Sequence, residues 1–198
     1  MFERGIAVIG LGYIGLPTSA AIASQGVMVN GVDVNPRTVD AINKGTVPIV
    51  EPDLGVAVAG AHARGNLVAS MEMPEADAFL IAVPTPFKGD HEPDLSYVQA
   101  AAEAIAPMLH GGEIVILEST APPGTTRKVS EWIAAVRPDL KLPHEAPDNP
   151  DVFVAHCPER VLPGRIMIEL VTNDRLIGGL TPQCARAAAE VTGCSTGW

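Results

Sequence analysis

The amino-acid sequence predicts a doubly wound α/β domain, in which helices cover both faces of a parallel β-sheet. Short apolar runs alternate with longer segments of helical character, which is the order expected for repeated β–α units. The first run, Ile6–Ile9, contains only apolar residues, as expected for a strand buried on both faces of a sheet. Glycine and proline contribute 19 and 18 residues, so many short ordered loops should join the elements.

The predicted elements follow one another in a regular order. Strands are predicted at Ile6–Ile9, Val27–Val32, Leu67–Ala69, Ala78–Val83, Glu113–Leu117, Val152–Ala155 and Arg175–Ile177. Helices are predicted at Ile14–Gln25, from Asn35 to about Gly45, at Leu54–Arg64, from about Leu95 to Leu109, at Thr125–Val136, and from Thr181 onward. Gly26 ends the first helix, whereas Asn35 and Pro36 supply an N-cap and a first-turn proline to the second. Residues 49–53, 84–93 and 119–124 are predicted loops, and the stretch 137–150, rich in proline and acidic residues, is a predicted surface excursion.

Composition excludes several classes of protein. A net charge of −10 argues against nucleic acid or an anionic membrane as the main partner. The three cysteines (Cys157, Cys184 and Cys194) are too few and too scattered for a disulfide framework or a zinc site. No signal peptide and no run of apolar residues long enough to span a membrane is recognisable, so a soluble cytoplasmic protein is expected.

A glycine-rich turn joins the first predicted strand to the first helix. Gly10, Gly12 and Gly15 form the pattern GxGxxG, and Asp33 follows at the end of the second strand. In such a Rossmann-like unit the first glycine allows a tight turn, the second admits a diphosphate to the backbone, and the third allows close packing of helix on strand. The helix N-terminus then binds the diphosphate, and Asp33 accepts hydrogen bonds from the ribose hydroxyls. An acid at this position would repel a 2′-phosphate, which favours NAD over NADP.

Other interpretations of these residues stay open at the level of sequence. The glycines could form a turn that only packs, with Asp33 capping the next helix. A methyltransferase also uses a glycine loop and an acid after its second strand. Arg37 could contact a 2′-phosphate, although it could equally lie across the adenine or be solvated.

Five separated motifs carry a resemblance to a known family. They are VIGLGYIGLP at 8–17, IAVPTP at 81–86, EPDLSYV at 92–98, LESTAPPGTT at 117–126 and CPERVLPG at 157–164. In this order they resemble the NAD-binding half of the UDP-glucose/GDP-mannose dehydrogenase family, from about Ile6 to Glu190. The segments PTPFKGDHEPD at 84–94 and ELVTNDRLIGG at 169–179 are most similar to the branch of this family that acts on UDP-N-acetylmannosamine.

The resemblance implies an activity and a set of roles. Family members oxidise a sugar C6 alcohol to a carboxylate with two NAD⁺, through an aldehyde and a covalent thioester, and the full-length enzymes are expected to be homodimers. Carried over by motif, Tyr13 and Ile14 contact the diphosphate, and Thr85 and Thr126 contact the rest of the cofactor. Thr120 and Glu159 hold or activate the hydrolytic water. Arg160 and Val161 contact the UDP-sugar.

Simpler interpretations exist for several of these residues. Glu159 and Arg160 could form a local surface ion pair, and Thr120 and Thr126 could be turn and first-turn residues. A carboxylate on a loop fixed by proline is nonetheless suited to orienting a hydrolytic water, as thioester hydrolysis requires.

The family's nucleophilic cysteine and the lysine and asparagine that assist it have no match in this sequence. Cys157 is interpreted as a small buried residue at a strand end, and Cys184 as packing, rather than as nucleophiles. His91 and His156 are single histidines without the other ligands of a metal site, so no metal is expected.

We therefore expect residues 1–198 to be the NAD-binding domain of a UDP-sugar 6-dehydrogenase, without the central helix and the C-terminal UDP-sugar domain. Such a piece should be an incomplete enzyme. The alternatives are another sugar, UDP-glucose or UDP-N-acetylglucosamine, or a non-catalytic module that senses NAD(H).

Overall fold

A computed structural model describes residues 2–89 and 92–196, the side chains of residues 194–196 excepted. A central sheet of seven strands has the order β3-β2-β1-β4-β7-β8-β9. Its strands are β1 (Ile6–Ile9), β2 (Val29–Val32), β3 (Leu67–Ser70), β4 (Ala78–Ile81), β7 (Ile114–Leu117), β8 (Phe153–His156) and β9 (Gly178–Gly179). The first six are parallel, so the predicted doubly wound α/β fold is confirmed.

Seven helices accompany the sheet in the described part of the chain. They are α1 (Gly15–Ser24), α2 (Pro36–Ile42), α3 (Leu54–Ala63), α4 (Ser96–Ile105), α5 (Thr125–Val136), α6 (Ile166–Thr172) and α7 (Pro182–Thr196), and a 3₁₀ turn (Ala106–Met108) continues α4. The second helix begins as the sequence predicts, because the Asn35 side chain accepts a hydrogen bond from the N–H of Arg37 and Pro36 occupies the first turn.

Two hydrophobic cores lie on opposite faces of the sheet. Alternate residues of β1 divide between them: Ile6 and Val8 pack into the core beneath α1 and α3, whereas Ala7 and Ile9 pack into the core beneath α4 and α5. Every residue of β1, β4 and β7 is buried, which explains why these strands are continuous apolar runs rather than alternating ones.

The register of the parallel strands aligns their carboxyl ends. Ile9 lies beside Val32 on one side and Ile81 on the other, Ile81 lies beside Leu117, and Leu117 lies beside His156. The residues that follow each strand therefore form a row along one edge of the sheet. The order of strands reverses between β1 and β4, which is the point where ligands bind in open α/β sheets.

The structure differs from the prediction at three places. The predicted strand Arg175–Ile177 is not a strand; Gly178 and Gly179 pair instead with β8, in the antiparallel direction. The segment before it forms α6, which the sequence analysis did not predict. The loop predicted at 84–93 contains a short antiparallel pair, β5 (Phe87–Lys88) and β6 (Glu92–Pro93).

The excursion predicted at 137–150 is irregular, but several of its residues attach it to the domain, Leu142 and His144 among them. Leu142 is buried, and the His144 ring accepts or donates a hydrogen bond at 2.7 Å from the Ser130 hydroxyl. In the described part of the chain, no helix has the length and apolar character needed to cross a membrane, and no group of three or more histidine, cysteine or acidic side chains could hold a metal ion. His91 and the side chain of Cys194, considered above, lie outside the described residues.

Candidate functional site

A cleft of about 850 Å³ opens along the carboxyl edge of the sheet. It extends across the point where the strand order reverses, so loops from both halves of the sheet contribute to it. Eight of the predicted site residues line it: Gly10, Gly12, Tyr13, Ile14, Asp33, Thr85, Thr120 and Glu159. The sequence motifs thus converge on one cavity, as a single ligand site requires.

The three glycines of the turn have different surroundings. Gly10 has a φ of +92°, and a Cβ there would lie 2.6 Å from the carbonyl oxygen of Ala82. A Cβ on Gly15 would lie 1.8 Å from the carbonyl oxygen of Gly10. A Cβ on Gly12, in contrast, would meet nothing within 4 Å and would project into open space beside the cleft. Gly10 and Gly15 are therefore needed for packing, whereas Gly12 leaves room for a ligand at the backbone.

Asp33 connects the ends of the first two strands. Its Oδ2 accepts a hydrogen bond from the N–H of Leu11 at 2.8 Å, and its Oδ1 accepts one from the N–H of Asn35 at 2.8 Å. Each carboxylate oxygen can accept a second hydrogen bond, so capacity for a ribose diol remains. Asp33 thus fixes the glycine turn and faces the cleft at once.

On the other half of the sheet, hydrogen bonds join the loops that follow β4 and β7. The hydroxyl of Thr85 donates to the carbonyl oxygen of Thr120 at 2.7 Å. The hydroxyl of Ser119 donates to the carbonyl oxygen of Val83, also at 2.7 Å. These bonds hold the two loops together across the cleft wall.

Three ionisable side chains meet beside the cleft, and two of them, Glu118 and Glu159, belong to residues that line it. Arg175 Nη1 donates to Glu159 Oε2 and lies 3.5 Å from Glu118 Oε1. All three side chains are buried, since Glu118, Glu159 and Arg175 are 3%, 4% and 10% exposed. The simpler alternative, a surface ion pair of Glu159 with Arg160, is not found: Glu159 accepts only the backbone N–H of Arg160, and its ionic partner is Arg175.

Burial determines the protonation of the groups around this cluster. Removal from water raises the pKa of Glu118 to about 7, opposed by the charge of Arg175 and reinforced by that of Glu159. Burial raises the pKa of Cys157 to about 11, so this residue is a thiol at neutral pH. Burial also lowers the pKa of His156, whose Nε2 lies 3.2 Å from the carbonyl oxygen of Ser119.

Four of the predicted site residues are not part of the described cleft lining. Gly15 lies beneath the turn, and Thr126 lies in the first turn of α5. The Arg160 guanidinium donates to the carbonyl oxygen of Asp174 at 2.7 Å, and Val161 packs against α6. Arg37, considered above for contact with a 2′-phosphate, is also outside the described lining.

Sequence reasoning missed two residues of the charged cluster. Glu118 stands within the motif LESTAPPGTT, but the interpretation of that motif rested on its threonines. Arg175 was assigned to a strand, and the resemblance gave it no role. Its place beside Glu159 depends on the return of the chain through α6 and β9, which no local pattern indicates.

The lining is suited to an extended dinucleotide. Apolar residues from the loops after β2 and β3 and from α4 form part of the lining: Val34, Met71, Met73, Tyr97, Ala100, Ala101 and Ala104. No lysine or arginine occurs among the described lining residues, so a diphosphate would be bound by backbone N–H groups at the start of α1, where no side chain caps the helix. Asp33 and the absence of a facing cation favour a ribose without a 2′-phosphate.

Comparison with known proteins identifies the family to which this fold belongs. The sequence model of the UDP-glucose/GDP-mannose dehydrogenase family, NAD binding domain, matches residues 4–192. The chain is 59% identical over 186 residues to UDP-N-acetyl-D-mannosamine dehydrogenase of Escherichia coli (strain K12), covering 94% of this chain and 44% of that protein. It is 57% identical over 188 residues to NDP-N-acetyl-D-galactosaminuronic acid dehydrogenase of Ralstonia nicotianae, covering 95% of this chain and 44% of that protein.

A solved structure is similar throughout the fold. UDP-N-acetyl-mannosamine dehydrogenase of Staphylococcus aureus superposes with a TM-score of 0.88 at 39% identity, covering 96% of this chain and 45% of that one. The chain thus spans somewhat less than half the length of the relatives it matches. Because the family model matches residues 4–192, nearly the whole chain, the chain belongs to the UDP-glucose/GDP-mannose dehydrogenase family and corresponds to its NAD-binding domain.

Proposed function

We propose that this chain is the NAD-binding part of an enzyme that oxidises the C6 hydroxyl of UDP-N-acetylmannosamine to a carboxylate. One observation carries the proposal: Asp33 and Glu159 line the same cleft, on opposite halves of the sheet. A dinucleotide bound across that cleft has its adenosine half at Asp33. Its reactive half then lies toward Glu159, a carboxylate on the loop after β8.

In this proposal the residues of the first half bind and orient the cofactor. Asp33 accepts hydrogen bonds from the adenosine ribose, and the open face of Gly12 admits the diphosphate. Tyr13 and Ile14 follow the turn and contact the same diphosphate. NAD⁺ supplies the acceptor for the hydride that leaves C6 of the sugar.

The residues of the second half act on the substrate side. Thr85 contacts the cofactor, and its hydroxyl donates to the carbonyl oxygen of Thr120, which helps to hold the hydrolytic water. Glu159, held by Arg175, orients the water that hydrolyses the thioester. Arg160 and Val161 follow directly and contact the UDP-sugar, while Thr126 supports the cofactor from the start of α5. The domain assignment of residues 1–198, the homodimer of the full-length family and the cytoplasmic location stay predictions.

The identity of the sugar has two candidates. Identities of 59% and 57% to relatives named for N-acetylmannosamine and N-acetylgalactosaminuronic acid do not separate them. The first name gives an N-acetylated hexosamine and the second an N-acetylated hexosaminuronic acid. Both therefore point to sugars with a 2-acetamido group, and we propose this class of UDP-sugar, with N-acetylmannosamine preferred on the sequences of the motifs. An NAD(H)-sensing module is disfavoured, because it has no use for a carboxylate that orients a hydrolytic water, the role proposed for Glu159 in the cleft lining.

A domain exchange tests the catalytic competence of the chain. The matching residues of the Escherichia coli relative are replaced by this chain, and NADH formation from UDP-N-acetylmannosamine is followed by absorbance. We expect turnover with NAD⁺, and none above background when the exchanged domain carries Glu159→Gln. A folded, dimeric chimera without turnover, or one unaffected by Glu159→Gln, would contradict the proposal.

A further inference from the structure

Two buried carboxyl groups share one guanidinium at the inner wall of the cleft. Arg175 Nη1 contacts Glu159 and lies farther, at 3.5 Å, from Glu118 Oε1. If all three groups are ionised, the cluster carries one net negative charge in a region shielded from water. A buried charge without a full counter-charge is unfavourable, so one of the carboxyl groups should take up a proton readily.

Of the two carboxyl groups, that of Glu118 has fewer hydrogen-bonded oxygens. The Thr18 hydroxyl donates to its Oε1 at 3.2 Å, whereas its Oε2 is buried without a hydrogen-bond partner among the described residues. An ionised carboxylate with an unpaired buried oxygen loses more hydration free energy than its hydrogen bonds in the protein restore, and protonation reduces that cost. The raised pKa of Glu118, about 7, agrees with this geometry.

Glu118 also occupies the half of the cleft expected to hold the nicotinamide. It follows β7 directly and lines the cleft, on the opposite side of the strand-order reversal from Asp33. Each half of a doubly wound sheet holds one mononucleotide, so the adenosine at Asp33 leaves the nicotinamide for the half that contains Glu118. This ring is positively charged in NAD⁺ and neutral in NADH.

We propose that Glu118 makes the cleft discriminate between oxidised and reduced cofactor. When the cationic ring of NAD⁺ enters, the Glu118 carboxyl group loses its proton to solvent and its carboxylate faces the ring. When the neutral ring of NADH enters, the carboxyl group stays protonated. The inference rests on the proposed binding of NAD in this cleft.

The direction of the pH dependence follows from this proton release. At pH values below the Glu118 pKa of about 7, the free protein holds the proton, so binding of NAD⁺ must displace it, and the affinity for NAD⁺ rises with pH. Well above that pH the proton is already gone and the dependence disappears. One linked proton changes the affinity by at most about tenfold per pH unit.

Two titratable neighbours of Glu118, His156 and Cys157, have pKa values shifted away from this range. Arg175 keeps its charge, and the raised pKa of Cys157, about 11, keeps its thiol protonated. The lowered pKa of His156 keeps its ring neutral above about pH 6.5. The carboxyl group of Glu159 is the remaining acid that faces the cluster, and a variant separates its contribution.

The test is isothermal titration of the chain with NAD⁺ and with NADH, in two buffers that differ in ionisation enthalpy. The difference in apparent enthalpy between the buffers gives the number of protons released. Near pH 6.5 we expect release of up to about one proton with NAD⁺, little with NADH, and little with either above pH 8. Glu118→Gln, which keeps the shape of the protonated acid, should abolish the release and flatten the NAD⁺ affinity across pH. Glu131→Gln, on the exposed surface of α5, is the charge-matched control and should change neither quantity.

The possible outcomes are distinct. Equal proton release with NAD⁺ and NADH, or release that persists in Glu118→Gln, would overturn the inference while leaving cofactor binding intact. If proton release persists in Glu118→Gln but is lost in Glu159→Gln, the released proton comes from Glu159 instead. Failure of the wild-type chain to bind either cofactor would refute the proposed function itself.

Discussion

The carboxylate of Asp33 accepts a hydrogen bond from the backbone N–H of Leu11 at 2.8 Å, so the residue that ends β2 fixes the turn that follows β1. The same side chain lines the cleft beside Gly10 and Gly12. One acid therefore serves the geometry of the diphosphate-binding turn and the recognition of the ribose. Mutations at Asp33 must be interpreted with both effects in view.

The first prediction concerns cofactor choice. Asp33→Ala removes an acceptor for the ribose hydroxyls and should weaken NAD⁺ binding by about 1.5–3 kcal/mol, the range for a charge-assisted hydrogen bond. Calorimetric titration with NAD(H) and NADP(H) measures both the loss of affinity in the variant and the cofactor preference of the wild type. Wild-type protein that binds NADP(H) as tightly as NAD(H) would refute the assignment of Asp33 to the ribose. Asp33→Asn, which retains an acceptor for Leu11 N–H, separates ribose recognition from fixing of the turn.

The second prediction concerns the glycine turn. Gly12→Val places a branched side chain in the open space where a diphosphate would approach, so we expect NAD⁺ affinity to fall by at least about tenfold. Circular dichroism should report an unchanged fold, because a Cβ there meets no protein atom within 4 Å. Gly15→Ala is the contrasting variant. Its Cβ would lie 1.8 Å from the Gly10 carbonyl oxygen, so it should lower the melting temperature. Unchanged NAD⁺ affinity in Gly12→Val would mean that the turn is only structural.

The third prediction concerns stability at the opposite edge of the sheet. Arg4 forms ion pairs with Asp77 at 2.8 Å and with Glu113 at 3.0 Å. Burial tends to raise the pKa of Glu113, but hydrogen bonds from Gly111, Arg4 and His110 outweigh it, so the pKa of that carboxyl lies below its usual value. Arg4→Met should therefore destabilise the fold, by about 1–2 kcal/mol after allowance for the exposure of Arg4.

The pH dependence of that effect has a definite sign. A carboxyl whose pKa is lowered by folding contributes stability above its unfolded pKa and loses it as the pH falls through the folded pKa. The difference in free energy of unfolding between wild type and Arg4→Met should be constant near neutral pH and shrink below about pH 4. Urea denaturation at several pH values measures it, and a difference that grows on acidification would contradict the role of these carboxyl groups.

Much of the fold could be predicted because local sequence determines it. The runs at Ile6–Ile9 and Ile114–Leu117 are apolar since both faces of the sheet are covered, and Asn35 and Pro36 define a helix start on their own. The strand β9 could not be predicted, because Gly178 and Gly179 have no strand propensity and are held only by pairing with β8.

In the candidate site, too, some residues could be predicted from local sequence and others could not. Gly10, Gly12 and Asp33 could be found because their spacing in sequence reflects one β–α–β unit. The contact of Arg175 with Glu118 and Glu159 depends on the register of β7 and β8 and on the path of α6, which is information that only the tertiary structure contains.

The last prediction is that this chain alone does not oxidise a UDP-sugar. The mechanism implied by the family needs a thiolate that attacks the aldehyde, so that a second hydride can leave. Cys157 is the cysteine beside the charged cluster, and its pKa of about 11 leaves almost no thiolate at neutral pH. Its burial also blocks approach of a sugar carbon. With purified chain, excess NAD⁺ and UDP-N-acetylmannosamine, we expect cofactor binding but no growth of NADH absorbance, and the same result for Cys157→Ala. Sustained turnover that Cys157→Ala abolishes would make Cys157 the nucleophile, and would require a change of conformation that brings its sulfur into the cleft.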